Sequence, residues 1–324
     1  MAIASPTDAI PPGRPGGATL GFAPSLPSRL VVDPKPIDFK KDRDAARLFE
    51  LEQLEVSFDE ANAALWTFMR PRGRPSYNLA LLDDIHTLQR GIVAEFASRP
   101  NDLRYLVAGS RTHGVFSLGG DLDLFATLTR KKDRLALVDY GKSCVRVLHR
   151  FFYALDLPII GIGLAQGDAL GGGFESLLSF NVIIAERDAK FGFPEALFGL
   201  FPGMGAYSLV ARRIGAAYAE EMMLSGKTYT AEEMKDAGLI HIVVEPGQGI
   251  EAARDYMQRN RRRHAGIRGV FQAGREVTPL SLDELDRIVN IWADACMQLS
   301  ERDLKIMHRL VNAQDRLTSL QAAE

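Results

Sequence analysis

The chain is poor in cysteine: Cys144 and Cys296 are the only two among 324 residues. They lie far apart, each inside an apolar helical pattern, so they read as buried free thiols rather than a disulfide or a metal pair. No run approaches the roughly 18 apolar residues of a membrane-spanning helix. The N-terminus also lacks the basic-then-apolar order of a secretion signal, so a cytoplasmic protein is expected, with no membrane partner. Charge of neither sign prevails, with 39 basic and 41 acidic residues and a formal charge of -2. No global field therefore draws the protein to nucleic acid. The six histidines show neither HExxH nor Cys/His ligand spacing, so no metal is expected. Neither glycine run is followed by Lys-Ser/Thr, and no GxGxxG follows a first strand, so no nucleotide cofactor is expected.

With 46% hydrophobic residues, the chain has enough apolar material for a sizeable core. Eight of the 16 prolines fall within the first 36 residues, mixed with Gly, Ser and Ala, which predicts a flexible leader over residues 1–45. Order is expected from residue 46, opening on a hairpin whose arms are Leu51 to Phe58 and Ala64 to Met69. Helical spacing follows from Ala80 to Phe96 and from Leu135 to Leu155, alternating with apolar strands at Tyr105 to Ala108 and Ile159 to Ala165. That rhythm implies a largely parallel sheet in an α/β domain. Strands are also expected at Val182 to Ala185 and Lys190 to Phe193, then one long helix from Ala206 to Leu224. Capping boxes at Thr230 with Glu233 and Ser281 with Glu284 signal later helices. Residues 46–247 thus form the α/β core, and residues 248–324 a helical C-terminal subdomain.

Chemistry is concentrated in the run Leu170-Gly171-Gly172-Gly173-Phe174-Glu175 and in Phe193-Pro194-Glu195. Consecutive glycines let backbone approach a ligand closely, and N–H groups at a helix start favour negative charge. Two carboxylates beside such a cradle suit proton transfer next to a polarised carbonyl. A carboxylate that alternates between acid and base works best against an apolar wall, for which Phe174, Phe193 and Phe198 are candidates. His113 is a candidate for the mouth of the site. The basic runs Arg130-Lys131-Lys132 with Arg134, and Arg259 with Arg261 to Arg263, read either as solvated faces or as a docking surface for an acidic carrier protein.

Phe116-Ser117-Leu118-Gly119-Gly120-Asp121-Leu122, the run Ala165 to Glu175, Phe193-Pro194-Glu195 and Phe201-Pro202-Gly203 resemble the crotonase (enoyl-CoA hydratase) superfamily in order and spacing. Within it, the runs Ser117 to Leu122, Leu197 to Ser208 and Ile291-Trp292-Ala293-Asp294-Ala295-Cys296-Met297-Gln298-Leu299 resemble the diffusible-signal-factor synthase branch, which makes cis-2-unsaturated fatty acid signals. The resemblance implies a crotonase (ClpP-like) spiral of ββα units whose C-terminal helices build a homotrimer or a dimer of trimers. It implies that the N–H groups of Gly120 and Gly172 hold a thioester oxygen, that Glu175 and Glu195 are the acid/base pair, and that Leu170, Met204 and Trp292 line the acyl pocket. The activity implied is dehydration of a 3-hydroxyacyl thioester to a cis-2-enoyl thioester, followed by thioester hydrolysis. A sensor-kinase receiver domain is an implied partner.

Asp123 stands where coenzyme A users often carry lysine, which favours an acyl carrier protein substrate over acyl-CoA. Gly203-Met204-Gly205-Ala206-Tyr207 replaces a glycine-rich turn with a bulkier lining. Two alternatives stand beside this reading: a conventional enoyl-CoA hydratase or isomerase of fatty acid degradation, and a non-catalytic crotonase-fold protein that binds an acyl group or a sensor.

Overall fold

The computed structural model describes residues 51–321, with side chains as far as residue 312. The expected leader and the boundary at residue 46 lie outside the described residues. The opening hairpin forms, β1 (Leu54–Asp59) pairing antiparallel with β2 (Ala64–Met69). Asn78 then caps α1 (Leu79–Phe96), accepting from the Leu81 N–H, and Leu81, Ile85, Leu88 and Ile92 bury one face of that helix.

Three strand pairs follow: β3 (Tyr105–Ser110) with β4 (Gly114–Ser117), β5 (Ile160–Ala165) with β6 (Gly167–Leu170), and β7 (Val182–Glu186) with β8 (Lys190–Gly192). In each pair the first strand enters a six-stranded sheet and the second a four-stranded one. The large sheet runs β1-β2-β3-β5-β7-β10 and the small one β4-β6-β8-β9, where β9 is Thr228–Thr230 and β10 is Ile242–Val244. All pairings from β2 to β10 in the large sheet are parallel. Parallel strands are usually covered on both faces, and β5 and β7 are buried at every position. One face packs on α8 (Gly249–Asn260) through Ile250, Ala253 and Met257. This is the crotonase arrangement of repeated ββα units.

In the small sheet, β4, β6 and β8 lie side by side and parallel, with Ala169 opposite both Ser117 and Phe191. Their carboxyl ends therefore meet along one edge. In open α/β sheets that edge is where ligands bind. Here β4 leads into Gly119-Gly120 and α2 (Leu122–Arg130), β6 into α4 (Gly172–Leu177), and β8 into a 3-10 turn, Pro194–Phe198. The glycine and glutamate motifs singled out in the sequence all lie on these three exits.

The long helix expected from Ala206 to Leu224 is two helices, α5 (Ala206–Ile214) and α6 (Ala216–Ser225). Gly215 interrupts them with φ of 96°, a conformation that glycine adopts without the Cβ penalty. Thr230 and Glu233 form the reciprocal capping box of α7 (Ala231–Asp236). Ser281 also caps its helix, α10 (Leu282–Gln298), by accepting from the Glu284 N–H. The Glu284 carboxylate, however, turns to Arg212 at 2.7 Å and to the Ser208 hydroxyl at 2.6 Å, tying α10 to α5 instead of closing a box. From Gly249 to Gln321 the chain is helical apart from short connections, with α9 (His264–Val277) and α11 (Glu301–Gln321) completing the series. Cys144 and Cys296 are buried free thiols. Among the described residues, no helix is long and apolar enough to cross a membrane.

Candidate active site

The two glycine elements touch. A Cβ built on Gly172 would stand 3.4 Å from the Gly120 backbone nitrogen, and Gly119 takes a φ of 95° to bring its loop against Gly172. The loop is held from behind, since the Tyr77 N–H donates to the Gly119 carbonyl at 2.8 Å and the Leu118 N–H to the Pro75 carbonyl at 2.8 Å. Gly171, with φ of 51°, lies so near the other exit that an added Cβ would collide with Glu195 Oε1. Three strand ends thus bring Gly120, Gly172 and both glutamates to one place.

The two carboxylates have different surroundings. Glu175, on α4, is 1% exposed. Its Oε1 accepts from the N–H groups of Met204 at 2.8 Å and Ala206 at 2.9 Å, so the turn before α5 supports its charged form. Burial still lifts its pKa to about 7. Glu195 keeps some exposure as a residue, but its Oε2 is sealed from solvent and has no hydrogen-bond partner. Burial, then the nearby Glu175 charge, lift its pKa to about 8. Two backbone N–H groups favour the charged form of Glu175, whereas the partnerless Oε2 of Glu195 favours its neutral form. A separation of acid from base between neighbouring carboxylates is the usual mark of proton-transfer chemistry.

Both glutamates open into a cavity of about 240 Å³, lined also by Gly120, Gly172, Leu170, Met204 and Trp292. All seven site residues expected from the sequence share this one space. Trp292 reaches it from α10, and Phe125 of α2 meets the Trp292 ring edge-on at 4.9 Å. Of the three candidate phenylalanines, Phe198 lines the cavity, while Phe174 and Phe193 stack on each other in the core at 5.3 Å. The apolar wall is supplied instead by Leu118, Leu122, Phe125, Leu200, Phe201 and Leu310. His113 is exposed at the start of β4, away from the cavity.

Tyr140 is a site residue that sequence reasoning missed. Its pattern on α3 (Arg134–Phe152) signals only burial, and its role depends on a loop that precedes the helix in the chain. The hydroxyl donates to the Tyr77 carbonyl at 2.7 Å and accepts from the Asp121 N–H at 3.2 Å, fixing the segments on either side of Gly120. Tyr140→Phe is expected to lower kcat about tenfold to a hundredfold with little change in KM, because small misplacements of a positioned group cost that much. Steady-state kinetics check this, and an unchanged kcat would remove Tyr140 from the account.

Over residues 63–273 the chain matches the enoyl-CoA hydratase/isomerase family. It belongs to that family. As an enoyl-CoA hydratase/isomerase relative, it is 26% identical to the probable mitochondrial enoyl-CoA hydratase 2 of Arabidopsis thaliana over 90% of this chain and 85% of that protein. It is 30% identical to the fatty acid oxidation complex subunit alpha of Idiomarina loihiensis over 64% of this chain, which spans only 27% of that longer protein. Among solved structures, the enoyl-CoA hydratase of Bacillus halodurans shares the fold with a TM-score of 0.65 at 20% identity, covering 79% of this chain and 98% of that one. Pseudomonas aeruginosa DspI is similar at 25% identity with a TM-score of 0.57, covering 75% of this chain and 97% of that one.

One expectation about charge at this family member's surface needs correction. Asp123 is paired with the Arg74 guanidinium, so it does not stand as a free negative charge against a nucleotide phosphate. The first basic run is an exposed face, as one of its two readings expected, with three of its residues in surface contacts: Arg130 pairs with Glu301 at 3.6 Å, Arg134 with Asp294 at 2.6 Å, and Lys132 Nζ donates to the Met297 carbonyl at 3.3 Å. These contacts fasten α2 and α3 to the C-terminal helices. In the second run, Arg259 pairs with Asp255 at 2.9 Å and Arg263 donates to Asn260 at 2.9 Å.

Proposed function

We propose that the protein dehydrates a 3-hydroxyacyl thioester to a 2-enoyl thioester and then hydrolyses it to the free cis-2-unsaturated acid. The observation that carries the hydro-lyase part is the meeting of two buried, unequal carboxylates with two backbone amides inside one apolar cavity. The thioester oxygen sits between the N–H groups of Gly120 and Gly172, which stabilise the enolate formed as the C2 proton leaves. One such donor is typically worth about 3 kcal/mol in the transition state. In the hydration direction, anionic Glu175 takes a proton from water as its oxygen adds to C3, and Glu195 gives its proton to C2. Dehydration runs the same transfers backwards: Glu195 takes the C2 proton, Glu175 protonates the departing hydroxyl, and the C3–O bond breaks as C2=C3 forms. Hydrolysis would follow when water adds to C1, with the same amides holding the tetrahedral oxyanion until the C–S bond breaks and the thiol leaves with a proton.

Support for the signal-synthase branch comes from the Trp292 segment, whose wording resembles that branch and whose indole lines the acyl cavity. A conventional enoyl-CoA hydratase is the second reading, favoured by the likeness to the Arabidopsis protein across most of both chains. With Asp123 paired, neither acyl-CoA nor acyl carrier protein is disfavoured by charge at that position. Self-association into trimers is supported by exposed Leu197, Tyr207, Tyr218 and Leu224, apolar surface on neighbouring elements that a second copy would cover.

The test is mass spectrometry of products from 3-hydroxyacyl-CoA and from 3-hydroxyacyl carrier protein. Free 2-enoic acid from either substrate is expected. Enoyl thioester without free acid would establish the conventional reading instead, and no product from either would leave a binding protein.

A further inference from the structure

A second, smaller void lies next to the acyl cavity. It measures about 20 Å³ and is lined by Leu82, Cys144, Val147 and Leu148, with Tyr77 and Ser176. Gly172 and Met204 line both spaces, and they are the only residues of the described lining that do. We propose that the Met204 side chain is a movable partition between the two, and that the void behind it receives the far carbons of a longer acyl chain when Met204 turns aside. This rests on the thioester reading of the main cavity.

The backbone of Met204 is anchored, and its side chain is of the kind that repacks readily. Its N–H donates to Glu175 at 2.8 Å, and the next N–H but one, that of Ala206, does the same at 2.9 Å. Beyond that anchor the side chain is unbranched, with three rotatable bonds, the kind that fills irregular gaps and repacks readily. Its terminal methyl lies over Gly172, in the volume that a side chain at position 172 would occupy. Only a residue lacking Cβ leaves that volume for a neighbour to enter or vacate.

The void has the chemistry of a carbon site rather than a water site. Its volume is about that of one water-sized sphere, but a buried water needs two or more polar partners. Most of its wall is apolar, from Leu82, Val147, Leu148 and Met204, with the Tyr77 and Ser176 residues as the polar exceptions. Burial pushes the Cys144 thiol well above its ordinary pKa, keeping it protonated and apolar in character. The remaining walls are Leu and Val side chains of α1 and α3. Close-packed interiors hold few such voids, and this one is separated from the acyl cavity by a single flexible side chain.

The experiment measures binding of acyl-pantetheine thioethers of increasing chain length, since that arm is common to coenzyme A and carrier proteins. Three proteins are compared with the wild type: Met204→Ala, Val147→Ile, and the two combined. Met204→Ala should move the best-bound chain to greater length, with about tenfold or more gained for each methylene that newly fits. Val147→Ile should fill the void and return the combined variant toward the wild-type preference. Val147→Ala, which enlarges the void, should move preference the opposite way and serves where the larger side chain impairs folding. Equal weakening of all chain lengths by Met204→Ala would overturn the proposal. Enoyl turnover, measured alongside, tests the hydro-lyase reading separately. A shifted length preference without turnover would keep the partition and sink that reading, whereas turnover with an unshifted preference would do the reverse.

Discussion

Glu175→Gln and Glu195→Gln should each lower turnover of a 3-hydroxyacyl or 2-enoyl thioester by about 10²–10⁴-fold, the usual contribution of a positioned acid or base. The folded protein should survive both changes. Gln at 175 retains an oxygen that can accept from Met204 and Ala206, and Gln at 195 replaces a carboxyl whose Oε2 has no partner. The effects should not add in the double variant, because the pair acts as a unit. Stability supplies an internal check. Both folded pKa values lie above the ordinary 4.5, at about 7 and about 8, so over that window the folded state binds protons that the unfolded chain has released. Stability therefore falls as pH rises from about 4.5 to about 8, and the loss is absent at lower pH, where both states are protonated. Glu195→Gln should remove much of that loss, melting higher than the wild type in alkaline buffer and little differently in acid. Thermal melts across pH measure it. A variant as active as the wild type, or one whose melting follows the wild-type pH dependence, would contradict the assignment.

Gly172→Ala should cost about 10²–10³-fold in kcat, the loss typical when an oxyanion donor is spoiled. The new methyl would collide with the end of Met204 and stand 3.4 Å from the Gly120 nitrogen, crowding the place where the two glycine elements meet. Gly266→Ala is the matching control. Gly266 lies within α9, where an added Cβ meets nothing within 4 Å. That change should leave kcat intact and stabilise the helix by about 0.5–1 kcal/mol, the ordinary gain of alanine over glycine in a helix. Kinetics and melting of the two variants separate loss of the anion cradle from a general response to glycine replacement. Equal kcat values for both would show that the Gly172 amide does not hold the reacting oxygen.

The parts of the fold legible in the sequence are those whose signal is local. The runs that become β3, β5 and β7 are short and apolar because both faces of their sheet are covered, and α1 and α3 carry apolar residues at helical spacing. The strands β4 and β6 are not legible: Gly114–Ser117 and Gly167–Leu170 are four residues each, and what makes them strands is pairing with each other across a long stretch of chain, Gly114 opposite Gly167. The break at Gly215 is hidden because apolar residues continue on both sides of it. At the site, Glu175, Glu195 and the glycines are legible because close backbone approach and paired carboxylates restrict residue type. Tyr140 and Leu310 are not, since a tyrosine or leucine on a helix face predicts burial without saying against what. Charge is the least legible property. Asp123 and the run from Arg130 to Arg134 have partners supplied from Arg74 and from α10 and α11, far away in sequence.

The central claim is that Glu175 and Glu195 move a proton on and off C2 of a thioester held by Gly120 and Gly172. Hydrating a 2-enoyl thioester in heavy water and reading the product by NMR tests it most directly. The account predicts one deuterium at C2 with the wild type, added stereospecifically, and little or none in the same time with either Gln variant. Deuterium entering C2 at undiminished rate in both variants would place the proton transfer elsewhere and contradict it.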